Sequence, residues 1–258
     1  MKLEHQTPGA AFPVACLLIL LISVPVSAQD TNLSAKRILD MVDDLYRGKS
    51  STGRMTMAIT TGHWHRTLTL EFWSEGKDKS LIRILAPKKE KGTATLRSGS
   101  EIWNYLPKVK RIIKLPSSMM SASWMGSHFT NDDLVKESRM ADDYTFEQTF
   151  EGERDGRAVI EITCYPKPEA AVVWGKVVAT VRRNGYLPVD FKYYDEDLNL
   201  ARTMIFSEIG DLGNRTMPSL MTIIPADKPK EKTVIKYENI TFDLDLPQGF
   251  FSLRSLQR

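Results

Sequence analysis

Ser127, His128, Asp132 and Asp133 lie close together in the chain. Serine, histidine and aspartate are the residue types of a hydrolytic triad, in which an imidazole takes the proton of a serine nucleophile. Neighbours in sequence seldom face one another, however, and no G-x-S-x-G turn presents the serine, so the group does not read as a nucleophilic site. A second chemistry is metal binding. His63 and His65 stand two apart and would share one face of a strand, but a zinc-type site needs four ligands, or three and a water, and no third ligand stands nearby. The expectation is no catalytic residue, no metal and no cofactor.

What remains is binding chemistry, and it concentrates between residues 96 and 135. Trp103, Tyr105, Trp124, Phe129, Met119, Met120 and Met125 gather there among Ser117, Ser118, Ser121 and Ser123. Methionines and aromatics beside small hydroxyl residues make a soft apolar surface suited to greasy ligands. The same residue types would equally serve a plain lid that closes a core. Lys108, Lys110, Arg111 and Lys114 straddle a hairpin turn after Pro107, and Lys88, Lys89 and Lys91 form a second basic group. Such runs are either solvated turns or contacts for anionic head groups or an acidic partner.

The elements that must position these residues are mostly strands. Residues 34–47 predict one amphipathic helix, with Ile38, Val42, Leu45 and Tyr46 on one face, a cap among Thr31, Asn32 and Ser34, and Gly48 at its end. Beyond it the period falls to two: Met55, Met57, Ile59; Leu68, Leu70, Phe72; Tyr144, Phe146, Phe150; Ile160, Ile162, Cys164; Val177, Ala179, Val181; Val189, Phe191, Tyr193; Ile235, Tyr237. Glu75-Gly76, Asp155-Gly156, Asn184-Gly185 and the 210–214 segment punctuate them. Strands with one apolar and one wet face make an antiparallel sheet, and a long meander of them must curl. The fold expected is therefore mainly β with some α: a curved antiparallel half-barrel whose apolar concave face is covered by the N-terminal helix and by short lid helices. In the lid, Met120 and Trp124, and Met125 and Phe129, stand at i+4, and Thr130 to Asp133 resembles a capped helix start. The serines weaken helix there, so a flap of short helices is expected.

Composition excludes other classes. A net charge of +3, with Lys and Arg interleaved among Asp and Glu, argues against a nucleic-acid binder. Residues 10–26 are almost wholly apolar after Lys2, and Val26-Ser27-Ala28 is a small-residue cleavage signal, which is the layout of a secretory leader over residues 1–28. Cys16 inside that run does not read as a lipidation site. Residues 29–258 would then form one domain with a single cysteine, Cys164, no disulfide, and stability drawn from its core alone.

The segments WSEGKDKSLIRILAPKKEKGTATL (73–96) and WNYLPKVKRIIKLPSSMMSASWMGSHFTNDDLV (103–135) resemble the outer-membrane lipoprotein-sorting proteins, in the LolA-like branch of the LolA/LolB superfamily. The resemblance extends from the first helix to LPQGFFSLRSL (246–256). It implies a half-barrel plugged by helices, an apolar cavity for acyl chains of a lipoprotein or lipid, a periplasmic monomer, and an inner-membrane RND/MMPL-type exporter as partner. The arginine motif of the better-known carriers is not matched. Candidate wall residues are Leu70, Phe72, Trp103, Tyr105, Met119, Met120, Trp124, Met125, Phe129, Phe146 and Phe191, with Lys108, Lys110, Arg111 and Lys114 at head groups or a partner. The rival readings are a structural envelope protein that binds a partner through an edge strand and, more remotely, a lid-covered esterase.

Overall fold

Period-two alternation builds one sheet. The computed structural model describes Met1 and residues 33–136, 140–170 and 172–257. Its strands are β1 (Ser50–Thr60), β2 (His65–Glu75), β3 (Lys79–Ala86), β4 (Ala94–Ser98), β5 (Glu101–Leu106), β6 (Arg111–Lys114), β7 (Tyr144–Arg154), β8 (Arg157–Pro166), β9 (Lys176–Arg182), β10 (Pro188–Tyr194), β11 (Leu200–Leu212), β12 (Arg215–Pro225) and β13 (Lys232–Phe242). They run in the order 6-5-4-3-2-1-13-12-11-10-9-8-7. Two antiparallel meanders thus meet where β1 pairs β13. The sheet is curved and not closed into a barrel, as alternation in a long meander requires. One edge, β6, is short and carries Arg111 and Lys114, a composition that discourages further strand addition.

Two of the sheet's bulges matter for which side chains face inward. Glu238 is the extra residue where Arg54 pairs Asn239 and Met55 pairs Tyr237. The inward phase therefore passes from Ile235 and Tyr237 to Ile240 and Phe242, which pack on the same core. Gly53 sits at this crossing because a Cβ there would lie 2.1 Å from the Asn239 carbonyl oxygen. On β7 the register slips between Gln148 and Phe150. Phe146 packs on the main core, while Phe150 turns to the other face opposite Glu161 and lies 3.9 Å beneath the Arg154 guanidinium. A bulge reverses side-chain parity, and plain alternation cannot foresee it.

The predicted helix forms as α1 (Ala35–Arg47). The Ser34 side chain accepts from the Arg37 N–H, and Gly48 closes the helix with a positive φ of 60°, a conformation that glycine adopts without steric cost. Ile38, Leu39 and Val42 are buried. The helix touches both β1 and the far-edge strand β7, so the sheet wraps around it. The core in this hollow draws side chains from α1 and from both meanders. No helix among the described residues is long and apolar enough to cross a membrane. The expected leader falls, Met1 apart, outside the described residues.

The lid is a strap more than a helical flap. Ser117–Met119 and Trp124–Gly126 are single 3-10 turns, and Met125 inside the second has φ 51°. The i+4 pairs expected on a helix therefore do not form as such. Trp124 and Phe129 instead meet edge-on at 6.5 Å, across a turn closed by Trp124 N–H donating to the Phe129 carbonyl at 2.8 Å. The Asn131 amide donates to the carbonyls of Met119 and Ala122. The predicted capped start is real: α2 (Asn131–Lys136) begins with Thr130 N–H donating to the Asp133 carboxylate and Asp133 N–H donating to the Thr130 hydroxyl, a reciprocal capping box. α3 (Met140–Asp143) follows.

A second, smaller core lies on the opposite face of β3–β5. Leu81, Ala94, Leu96 and Leu256 are buried there, with Trp73, Trp103, Tyr105, Phe250 and Phe251 packed around them. Its cover is the chain after β13, pinned where the Arg83 guanidinium donates to the Ser255 carbonyl at 2.6 Å. β4 is consequently buried on both faces.

Candidate functional site

Between α1 and the concave face the side chains leave a cavity of about 200 Å³, partly open to solvent. Its walls are Leu39, Val42 and Tyr46 from α1, Met55 and Phe72 from β1 and β2, Phe191, Phe206, Met221, Ile235 and Tyr237 from the second meander, and Phe129, Leu134 and Met140 from the strap and α3. Sequence dictates this lining. Each strand contributes the inward half of its alternation, and α1 contributes one stripe at i, i+3, i+7.

One end of the cavity is charged. Asp40, Asp43 and Arg47 of α1 and Lys77 of the β2–β3 turn line it. Lys77 Nζ lies 3.2 Å and Lys36 Nζ 2.8 Å from the Asp40 carboxylate. Burial pushes Asp40 up, but the hydrogen bonds from Lys36 and Lys77 outweigh it and hold the carboxyl below its ordinary range. Burial likewise pulls Lys77 down, and the Asp40 hydrogen bond with the nearby carboxylates outweighs that and raises it. Asp43 accepts from Arg47 Nε at 2.8 Å through Oδ1, while its Oδ2 is buried without a hydrogen-bond partner.

Deeper in, the strap is fastened to the sheet by a buried ion pair. The Arg202 guanidinium of β11 donates to both oxygens of Asp133 at 2.7 and 2.5 Å, and to the His128 carbonyl at 3.0 Å. It is sandwiched against the rings of Tyr193 and Trp174 at 4.3 and 4.5 Å. A bidentate fork stacked on aromatics is the arrangement that favours arginine for a desolvated pair. Sequence reading missed it because the partners stand far apart in the chain and nothing local marks either.

The sequence-predicted residues divide among distinct places. Phe72, Phe129 and Phe191 line the cavity. Leu70 and Trp124 are buried in the surrounding core, with Met125 and Phe146 packed against it. The Trp124 indole donates to the Thr95 hydroxyl. Met120 packs with Ile102 and Leu115 beneath the strap, and Met119 is exposed. Trp103 and Tyr105 belong to the second core, so these two are corrected from the concave wall to the opposite face. The reason is parity: Asn104 between them meets Thr95 on the concave side at 2.7 Å. The wall residues the sequence reading passed over, chiefly Phe206, Met221 and Met140, stood in runs whose inward phase was not assigned.

The hydrolytic residues do not converge. Ser127 donates to the Trp124 carbonyl and accepts from Phe129 N–H, His128 meets Thr233 and Glu231, and Asp133 is held by Arg202. His63 and His65 are exposed in and after the β1–β2 turn. Among the described residues no group of three or more His, Cys, Asp or Glu is placed to hold a metal ion. Burial pushes the Cys164 thiol up to about 12, which leaves it unreactive at neutral pH. The basic group at the β5–β6 turn stays at the surface: Lys108, Lys110 and Arg111 have no ion pair among the described residues, and Lys114 pairs with Glu101.

A family model described only as an uncharacterized protein matches residues 76–258. Among solved structures, a DUF1329 family protein from Desulfovibrio piger superposes with a TM-score of 0.78 at 24% identity, covering 86% of this chain and 97% of its own. A protein domain from Vibrio parahaemolyticus described as outer-membrane lipoprotein-sorting gives 0.75 at 22%, over 86% and 98%. A LolA superfamily protein from Nitrosomonas europaea gives 0.74 at 20%, over 86% and 99%. No curated protein matches significantly. At these identities the structural likeness establishes the fold.

Proposed function

Since this chain belongs to the family whose model spans residues 76–258 and has the fold of the LolA superfamily, we propose that it is a periplasmic carrier. On this reading it holds acyl chains of a lipoprotein or lipid for transfer toward the outer membrane, with an inner-membrane RND/MMPL-type exporter as partner. The observation that carries the proposal is the cavity of about 200 Å³ walled by Phe72, Phe191, Phe206, Met55 and Met221. A hollow of that lining forfeits packing that a purely structural core would keep. Each methylene removed from water contributes roughly 0.8 kcal/mol, so a whole chain supplies about 10 kcal/mol before ordering costs. Pockets that engulf drug-sized ligands run to roughly 300–1,000 Å³. A full chain therefore requires α1 or the strap to move outward, and the methionines of the wall suit a surface that repacks.

The basic turn fits the same reading. Gly92, beside Lys88, Lys89 and Lys91, approaches Pro107, to which a Cβ would come within 3.7 Å. The two basic loops are therefore neighbours, and Leu106, Val109 and Ile113 are exposed on the second. Cations around exposed aliphatics suit anionic head groups.

The test is native mass spectrometry of protein purified without detergent, followed by uptake of a fluorescent fatty acid. Bound lipid, or saturable uptake by the delipidated protein, is expected. A folded protein that carries no lipid and takes none up would end the carrier reading.

A further inference from the structure

An antiparallel meander returns its turns alternately to the two ends of a sheet. The strand order sends the β1–β2, β3–β4, β5–β6 and β12–β13 turns to the same end, side by side. Contacts join them into one rim. Gly62 N–H of the β1–β2 turn donates to Glu231 of the β12–β13 turn at 3.0 Å. Arg66 at the start of β2 pairs with Glu90 of the β3–β4 turn at 3.2 Å, and Gly92 lies against Pro107 of the β5–β6 turn. Positive charge concentrates on this rim. The β5–β6 turn exposes Lys108 and Lys110, and Arg111 follows them; the β3–β4 turn exposes Lys88, Lys89 and Lys91. The β12–β13 turn adds Lys228 and Lys230, with Lys232 opening β13. None of these cations forms an ion pair among the described residues, while Glu90 and Glu231 are engaged by Arg66, Gly62 and His128. Turns at the opposite end carry Asp78, Asp155, Asn184 and Asn214 beside Lys77. Apolar side chains stand among the cations: Trp64, the one exposed tryptophan, on the β1–β2 turn, and Val109 at the tip of the β5–β6 turn. The basic stretch stops at the β10–β11 turn, where Asp195, Glu196 and Asp197 reverse the sign.

We propose that this rim is a docking face for an anionic lipid bilayer, which the protein meets end-on, with Trp64 and Val109 entering the head-group layer. The inference goes beyond the carrier reading, since it concerns neither the cavity nor its cargo. Tryptophan joins an apolar body to a polar N–H and settles at a membrane interface, and cations beside it are drawn to anionic lipid. Neighbouring turns on one end stand two strands apart, roughly 10 Å. Projecting cations at that spacing match a plane of many head groups, whereas a single phosphate calls for converging donors. An acidic protein would satisfy the cations alone; the exposed Trp64 and Val109 favour lipid.

The experiment sediments the mature protein with vesicles of phosphatidylcholine, alone or with about one third phosphatidylglycerol. Binding to the anionic vesicles is expected at about 50 mM salt and should fall at least about tenfold at about 500 mM. Neutral vesicles should bind at least about tenfold more weakly throughout. Lys108→Glu with Lys110→Glu, and separately Lys228→Glu with Lys230→Glu, should each weaken anionic binding at least about tenfold. Lys49→Glu with Arg157→Glu makes the same charge change on exposed side chains at the opposite end, and should alter binding less than about threefold. Trp64→Ser should weaken binding about threefold and abolish the quenching of tryptophan emission by lipids brominated near the head group. Circular dichroism and the thermal midpoint check that each variant is folded. Inorganic phosphate should displace the protein no better than chloride of equal ionic strength; stronger displacement would mean a phosphate pocket and overturn the docking face. So would equal binding to neutral vesicles, or equal weakening by changes at the two ends. Rim-dependent binding to polyglutamate, with none to vesicles, would assign the rim to an acidic protein and overturn the bilayer. A protein that takes up no fatty acid yet binds anionic vesicles through the rim would end the carrier reading and keep this one.

Discussion

Two aromatic clusters lie on opposite faces of the same sheet, and only one of them encloses space. On the outer face Trp73, Trp103, Tyr105, Phe250 and Phe251 close around Leu256 as a solid second core. On the inner face Phe72, Phe191 and Phe206 border a cavity of about 200 Å³. Aromatic content does not separate the two; the covering element does. A short irregular segment follows the sheet surface and fills it side chain by side chain. A straight helix laid across a curved sheet meets its walls and leaves the middle open, because a cylinder cannot follow a strongly bent surface at every point.

The buried ion pair offers the most severe way to break the inner arrangement. Asp133→Ala strands the Arg202 guanidinium between Tyr193 and Trp174 without its carboxylate. Removing one partner of a buried pair costs about 3–5 kcal/mol. Urea denaturation should show that loss, and faster proteolysis within residues 115–136 should localise it. Loss below 1 kcal/mol would mean that the strap does not depend on this fastening.

The outer core tests whether the two faces are independent. Leu256 is fully buried, and Leu256→Ala should cost about 2–5 kcal/mol. Fatty-acid uptake per folded molecule should stay unchanged. A proportional loss of uptake would show that the outer cover shapes the inner cavity, and the contrast between the faces would fail.

How much of this the sequence reveals depends on which physical signal marks each residue. The curved antiparallel sheet was legible, since alternation in Met55-Met57-Ile59 or Ile160-Ile162-Cys164 states directly which side chains share a face. So were α1 and the Thr130–Asp133 cap, whose signals are local. Absolute phase was not legible in β5: Ile102 and Asn104 could face inward, or Trp103 and Tyr105, and large aromatics suggested the wrong half. They are half-buried because the C-terminal segment packs against them, a partner more than a hundred residues away. Phe150 fails for another reason, the bulge near Thr149 that reverses its strand's parity. The Arg202–Asp133 pair leaves no local trace, since a lone arginine on a strand ordinarily signals a solvated face.

Filling the hollow sharpens the comparison more gently. Phe191 lines the cavity and meets Phe206 edge-on at 5.1 Å. Phe191→Trp adds volume where space exists, so stability should change by less than the roughly 1–3 kcal/mol of an overpacked core. Fatty-acid affinity should nonetheless fall about tenfold or more, as the enlarged ring takes part of the chain's place. Unchanged affinity would place the binding surface elsewhere.

The smallest effect concerns the charged end, where Lys77 ties the β2–β3 turn to α1 through Asp40. Asp40 titrates below its ordinary 3.8 in the folded protein, so its contribution is complete above that value and is lost as pH falls through the folded value. Lys77 titrates above its ordinary 10.5, so its contribution is complete below that value and is lost as pH rises through the folded one. Lys77→Gln removes the tie. The side chains are partly exposed, so the stability difference from the unaltered protein should be only about 0.2–1 kcal/mol. It should be flat between roughly pH 5 and 9 and shrink at both extremes. Urea unfolding across that range measures it. A difference that grew toward acid would contradict the direction of the Asp40 shift and loosen the helix from the turn that closes this end of the cavity.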